Sequence, residues 1–151
     1  MSISVRHVER TDFEAWLVLW EGYNAFYNRV GPTALPLEIT DMTWGRFFDA
    51  DEPVHGLVAQ QNDQLVGLAH YLFHRSTTMI DPTCYMQDLF TSEGARGQGV
   101  GRTLIKSVYR QAALAGASRV YWHTHETNVA AKALYNTIAE DSGFVVYRKD
   151  L

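Results

Sequence analysis

The residues Arg96-Gly97-Gln98-Gly99-Val100-Gly101 carry the first chemical signal in the chain. Their glycines alternate directly after an apolar run, Cys84-Tyr85-Met86-Gln87-Asp88-Leu89-Phe90. The next stretch, Thr103 to Ala115, places Leu104, Ile105, Val108 and Ala112 at helical spacing. The glycines therefore belong to a tight strand-to-helix turn, where they permit positive φ and a close backbone approach. Such a turn aims several N–H groups into one concavity at a helix N-terminus, a setting suited to phosphate oxygens. Arg96 and Arg102 add positive charge at its lip. The spacing is not that of a dinucleotide fingerprint, since the third glycine comes one residue early. Nor is it a nucleoside-triphosphate loop, since no Lys-Ser or Lys-Thr comes directly after the glycines.

The elements that must position this turn are read from periodicity. Ile3 to Val8 alternates as a first strand, and Thr11-Asp12-Phe13-Glu14 has a capping-box pattern. The helix it opens carries Trp16, Leu19, Trp20, Tyr23, Phe26 and Tyr27 on a broad apolar face, at a spacing typical of core. Gly31-Pro32 breaks that helix, and Glu38 to Asp49 offers a shorter second one. Val54 to Gln60 and Leu65 to Arg75 are strands of a hairpin around Gln61-Asn62-Asp63-Gln64. After the glycine turn and its helix, Gly116 reads as a C-cap and Arg119 to Thr124 as a strand. Asn128 to Ala139 is helical with Asn128 at the N-cap, and Phe144 to Arg148 is expected to be a last strand. The order β-α-α-β-β-β-α-β-α-β predicts a mixed sheet with a right-handed βαβ unit around the glycines.

The glycine string, read as Arg, two residues, Gly, one residue, Gly, resembles the pyrophosphate loop of the GCN5-related N-acetyltransferases (GNAT). The element order is also theirs, so the resemblance covers nearly the whole chain. It implies an α/β (α+β) fold: a mixed, mostly antiparallel twisted sheet flanked by helices, with residues 1–151 as one N-acetyltransferase domain. It implies acetyl-CoA as the acyl donor. Asn128-x-x-Ala131-x-x-x-Tyr135, with the Gly143-Phe144 turn after it, resembles the family's helix beside the thioester. By that likeness Tyr135 protonates the departing thiolate and Asn128 contacts the pantetheine arm. A phenol with an ordinary pKa near 10 is a serviceable donor to a thiolate of similar basicity. Backbone groups of Leu89, Phe90 and Thr91 are expected to pair with the pantetheine as an added strand, one N–H polarising the acetyl carbonyl. The resemblance implies that Arg96, Gly97, Gln98, Gly99, Val100, Gly101 and Arg102 hold the pyrophosphate. The Trp/Tyr-rich first helix, Asp88-Leu89-Phe90 and Glu126-x-Asn128 resemble most closely the Hpa2-like and the spermidine/spermine acetyltransferases.

The base departs from the polyamine relatives. They carry a glutamate where this chain has Gln87, which cannot accept a proton. Asp88, Glu126 or a chain of waters must act instead, and Gln87 and Asp88 are expected on opposite strand faces. His70 and His74 share a face, as do His123 and His125, but no zinc-like quartet has local spacing and no metal is expected. Cys84, the single cysteine, reads as a buried, inert thiol. The chain of 151 residues is ordinary in composition, with 46% hydrophobic and 20% charged residues and a net charge of −4. That charge argues against nucleic-acid binding and suits a cationic substrate. With neither a spanning apolar run nor a signal pattern, no membrane association is expected and the cytoplasm is the expected location. The acceptor is expected to be a small primary amine, the alternatives being a protein lysine or a non-catalytic acyl-CoA-binding module. The resemblance also implies a homodimer.

Overall fold

A computed structural model describes residues 2–151 of the protein. The strands β1 (Ser4–His7), β2 (Val54–Gln61), β3 (Gln64–His74), β4 (Thr83–Thr91) and β5 (Arg119–Tyr121) form one sheet in chain order. The first three pairings are antiparallel, and β4 pairs with β5 in parallel. The helices are α1 (Phe13–Phe26), α2 (Leu37–Arg46), α3 (Val100–Leu114) and α4 (Val129–Ile138). This is the mixed sheet with flanking helices expected from the sequence. None of the helices described is long and apolar enough to cross a membrane.

Alternation along the central strands divides the core in two. Leu57, Ala59, Ala69 and Tyr71 face α3, packing with Val100, Leu104, Ile105 and Val108. Val58 and Leu68 point the other way, onto Trp16, Leu19, Trp20 and Tyr23 of α1. The entry to α1 is tied to β1 by a bidentate pair. Arg6 Nη1 and Nη2 donate to the Asp12 carboxylate at 2.7 and 3.0 Å, and the Glu9 N–H donates to it at 2.7 Å. The Arg6 guanidinium holds the Asp12 carboxyl below the usual carboxylate range.

Two irregularities of β4 set the geometry beside α3 and α4. His70 of β3 stands opposite Asp88, but its neighbour Tyr71 stands opposite Met86, so Gln87 is an extra residue in β4. Met86 and Leu89, three residues apart, consequently both pack on the α3 side. An unbroken strand would put them on opposite faces. Second, the β4–β5 ladder ends at Tyr85 and Tyr121. Past that point the β5-facing edge of β4 has no strand partner among the described residues.

The chain end corrects one expectation. Residues 144–148 form no strand, and β5 stops at Tyr121 rather than Thr124. Phe144, Val145, Val146 and Tyr147 lie on the surface, each 61–93% exposed. Their β-forming sequence pairs with no strand of the sheet, although β5 leaves an edge open.

Candidate active site

The glycine turn is built as its sequence requires. Gly97 and Gly99 adopt φ of +78° and +85°, a left-handed backbone that other residues rarely take. Gly99 is the N-cap of α3, and no side chain caps that terminus. The first helical bond is made by the Thr103 N–H, which reaches the Gly99 carbonyl at 3.0 Å. The N–H groups of Val100, Gly101 and Arg102 are thus the open donors of this helix start. Gly101 is under no such constraint. Its φ is not left-handed, and a Cβ there would lie 3.5 Å from Leu134 of α4.

The flanking groups frame the turn. Arg96 Nε donates to the Thr91 carbonyl at 3.3 Å, with its guanidinium over the Phe90 ring. Arg102 donates to Thr137 Oγ1 at 2.9 Å, linking α3 to α4. Gln98 Oε1 accepts from Gln61 at 3.1 Å. Asn128 caps α4 through Oδ1, which accepts from the Ala131 N–H at 3.3 Å.

Beside the unpaired edge of β4 lies a cleft lined by Tyr23, Tyr27, Gln87, Leu89, Trp122, His123 and Tyr135, among others. Tyr135 comes from α4 and packs edge-on against Trp122, centroids 5.3 Å apart. Its burial raises the phenol above its ordinary pKa. Tyr135 therefore stays protonated through neutral and mildly alkaline pH and is available as a donor.

The two carboxylates proposed from sequence separate here. Asp88 turns toward α1 and is 11% exposed. Its Oδ2 lies 2.9 Å from His70 Nδ1, and the Tyr23 phenol of the cleft wall faces it. Burial first, and the Asp88 charge second, raise the Tyr23 pKa well above the phenol range. Glu126 is exposed and lines a different hollow, with Val129, Lys132, Ala133 and Asn136 on the outer side of α4. Gln87 and Asp88 do diverge as expected, the bulge leaving Gln87 in the cleft wall and Asp88 behind Tyr23.

Sequence reasoning missed the partners of Asp88. His70 is 2% exposed and also accepts from Trp16 Nε1 at 3.1 Å. The signal was a single histidine inside the otherwise apolar Leu65–Phe73 run. Four of the other histidines make separate bonds: His7 with the Tyr71 hydroxyl, His74 with the Tyr121 hydroxyl, His123 with the Tyr85 hydroxyl and His125 with Thr127. No group of three or more His, Cys, Asp or Glu among the described residues could hold a metal ion. Cys84 is fully buried, and burial pushes its thiol up to about 12.

Comparison with known proteins now decides the family. Residues 15–138 match the Acetyltransferase (GNAT) family. The chain belongs to that family. This GNAT enzyme is 36% identical over 150 residues to the D-amino-acid N-acetyltransferase HPA3 of Saccharomyces cerevisiae, covering 98% of this chain and 91% of that protein. It is 27% identical over 105 residues to the thialysine N-epsilon-acetyltransferase of Caenorhabditis elegans, covering 66% of this chain and 65% of that one. Its fold matches the aminoglycoside acetyltransferase AAC(6')-Iy, solved with a bisubstrate analogue, at a TM-score of 0.83 and 16% identity, covering 100% of this chain and 99% of that one. It also matches a Bacillus halodurans transcriptional regulator at a TM-score of 0.83 and 17% identity, covering 99% of this chain and all of the other. As a GNAT member with relatives named for the activity, the protein is an N-acetyltransferase.

Proposed function

We propose that this N-acetyltransferase moves the acetyl group of acetyl-CoA to the primary amine of a small, amino-acid-like molecule, working as one domain over residues 1–151. The observation that carries the reading is the meeting of two features on one side of the unpaired β4 edge. One is the uncapped, glycine-led N-terminus of α3 and the other is the cleft holding Tyr135. The residues fit the donor. Backbone N–H groups from Gly97 to Arg102 suit a pyrophosphate, with Arg96 and Arg102 for charge. Leu89, Phe90 and Thr91 offer a strand edge to the pantetheine amides, and Asn128 keeps its Nδ2 for the same arm. When bound, acetyl-CoA supplies an activated acyl group on a thiol leaving group.

Two side chains then handle protons. Tyr135 gives its proton to the departing sulfur. Asp88 takes the proton that the amine loses, since it adjoins the cleft wall at Tyr23 whereas Glu126 opens onto another surface. Gln87, in the wall itself, positions but does not titrate. For the acceptor, support comes from the D-amino-acid substrate in the name of the 36% identical relative. The net charge of −4 also draws a cationic amine. A protein lysine would have to thread its chain past Tyr23, Tyr27 and Trp122.

Thiol release from acetyl-CoA, measured across D- and L-amino acids, spermidine and a lysine peptide, tests this. Amino acids are expected to be the best acceptors. Faster turnover of spermidine or the peptide would overturn the acceptor. Absence of release from any amine, with acetyl-CoA still raising the unfolding temperature, would make the protein a binding module.

We infer further that the enzyme is a homodimer in which residues 144–148 of each copy add to the sheet of the other. The support is an exposed Phe-Val-Val-Tyr run together with a β5 edge that has no strand partner among the described residues. A self-complementary pair of this kind closes by two-fold symmetry.

A further inference from the structure

The buried row Trp16–His70–Asp88 has hydrogen-bond roles that its chemistry dictates. Indole Nε1 is a donor only. At 3.1 Å from His70 Nε2 it leaves that nitrogen one role, acceptor. A proton on Nε2 would point at the indole N–H. The imidazole proton therefore sits on Nδ1, which faces Asp88 Oδ2 at 2.9 Å. The row is dry and fixed: Trp16 is fully buried, His70 is 2% exposed, and the imidazole is packed between Trp16, Trp20 and Phe47, with centroids 4.8–5.9 Å away. No buried side-chain polar atom among the described residues lacks a partner.

The row begins in the core and ends behind the cleft wall, at the Tyr23 phenol. Asp88 stands opposite His70 in the ladder, immediately next to the bulge that puts Gln87 in the cleft wall. Its Oδ2 is taken by the imidazole, and the Tyr23 phenol, which lines the cleft, is the carboxylate's neighbour on that side. We propose that His70 is a positioning residue for acetyl transfer. Its Nδ1–H, with the tautomer set by the Trp16 indole, aims the Asp88 carboxylate at the Tyr23 phenol, through which it receives the proton lost by the acceptor amine. In that step the amine N–H bond breaks and its electrons remain on nitrogen to form the new bond to the acetyl carbon. The proton passes to the Tyr23 oxygen while the phenol's own proton moves to the Asp88 carboxylate, and the C–S bond breaks with Tyr135 giving its proton to the sulfur. His70 keeps its own proton throughout. This inference rests on the reading of Asp88 as the proton acceptor.

Nitrogen-15 NMR of the histidine rings in the full-length protein tests the first link without turnover. The expected His70 signature is a protonated Nδ1 and a bare Nε2, and Trp16→Phe should let the other tautomer appear. A wild-type ring protonated at Nε2 would overturn the proposal. The second link is kinetic. His70→Leu removes the donor at similar volume, and should lower kcat by about 10–100-fold, the usual scale for losing an orienting partner. The KM for acetyl-CoA should stay within about threefold, since the pyrophosphate site is remote from the row. His70→Asn restores an N–H near the Nδ1 position and should recover most of the rate, which a purely structural role would not predict. Equal kcat for a folded His70→Leu and the wild type would remove His70 from the reaction while leaving acetyl transfer intact. Absence of wild-type turnover with any amine would remove both readings together. If His70→Leu does not fold, the His70→Asn rate and the wild-type tautomer still decide.

Discussion

Tyr135 is the residue whose chemistry depends most on its surroundings. Burial raises its pKa above the ordinary phenol value of about 10. An acid must be protonated to act, so a raised value extends its range upward. The rate should climb from neutral toward alkaline pH as the acceptor's free amine appears, and no fall attributable to Tyr135 should occur below about pH 10. Tyr135→Phe should lower kcat by about 10²–10⁴-fold, the usual weight of general acid catalysis. Its affinity for acetyl-CoA should be little changed. Stopped-flow thiol detection across pH, with the chemical step confirmed as limiting, checks both. A Tyr135→Phe enzyme of near-normal rate would return the residue to the packing around Trp122. The sequence made Tyr135, Asn128 and the glycines legible because each sits in a short motif with fixed local spacing. It left Asp88 and Glu126 unresolved because choosing between them needs three-dimensional neighbours. The His70–Asp88 contact spans two strands whose register is shifted by a bulge at Gln87, and no periodicity announces such a shift.

At the scale of elements, the proposed donor site needs both the α3 N-terminus and the β4 edge left open past β5. The two halves were not equally readable. The turn is announced by its glycines, and the helix by its apolar stripe. The open edge depends on β5 ending at Tyr121, and single-sequence strand ends are the least readable feature of a chain. Close packing holds α3 against the sheet. A Cβ on Gly67 of β3 would lie 2.8 Å from Val100 Cγ1 and 3.0 Å from the Phe90 carbonyl, so the first turn of α3 rests directly on the strand. The glycines of the turn consequently serve different ends, and their substitutions should differ. Gly99→Val forces a β-branched residue to φ +85°, a cost of about 1–3 kcal/mol if the turn is kept. The turn should rearrange and the Kd for CoA should rise at least about tenfold. Gly101→Ala has helical backbone and only ordinary contact with Leu134 to accommodate, so its loss of affinity should be smaller. Calorimetry with CoA on the folded variants checks the order. Unchanged affinity in Gly99→Val would take the pyrophosphate away from this loop.

For the whole molecule, the chain end outweighs the core. The sequence pattern of Phe144 to Arg148 reads as a strand, yet the segment lies exposed and outside the sheet. A β-pattern fixes what a segment prefers and is silent on which chain supplies the partner. An exposed apolar β-forming segment and an open sheet edge together are a known route to association. No residue of α4, the helix that carries Tyr135, is fully buried either. A strand added past β5 would extend the sheet next to the segment leading into Trp122 and His123 of the cleft wall. Exchange between two copies would then brace the side of the site that one copy leaves loose. Sedimentation velocity should show a species of about twice the 17.1 kDa chain mass for the wild type. Val146→Asp puts a charge in the middle of the exchanged run and should give monomers, because a buried unpaired carboxylate costs several kcal/mol. It should also lower turnover while leaving the α3 glycine turn able to bind CoA. A wild type that stays monomeric at micromolar concentration, or a Val146→Asp protein that still dimerises, would rule out the exchange.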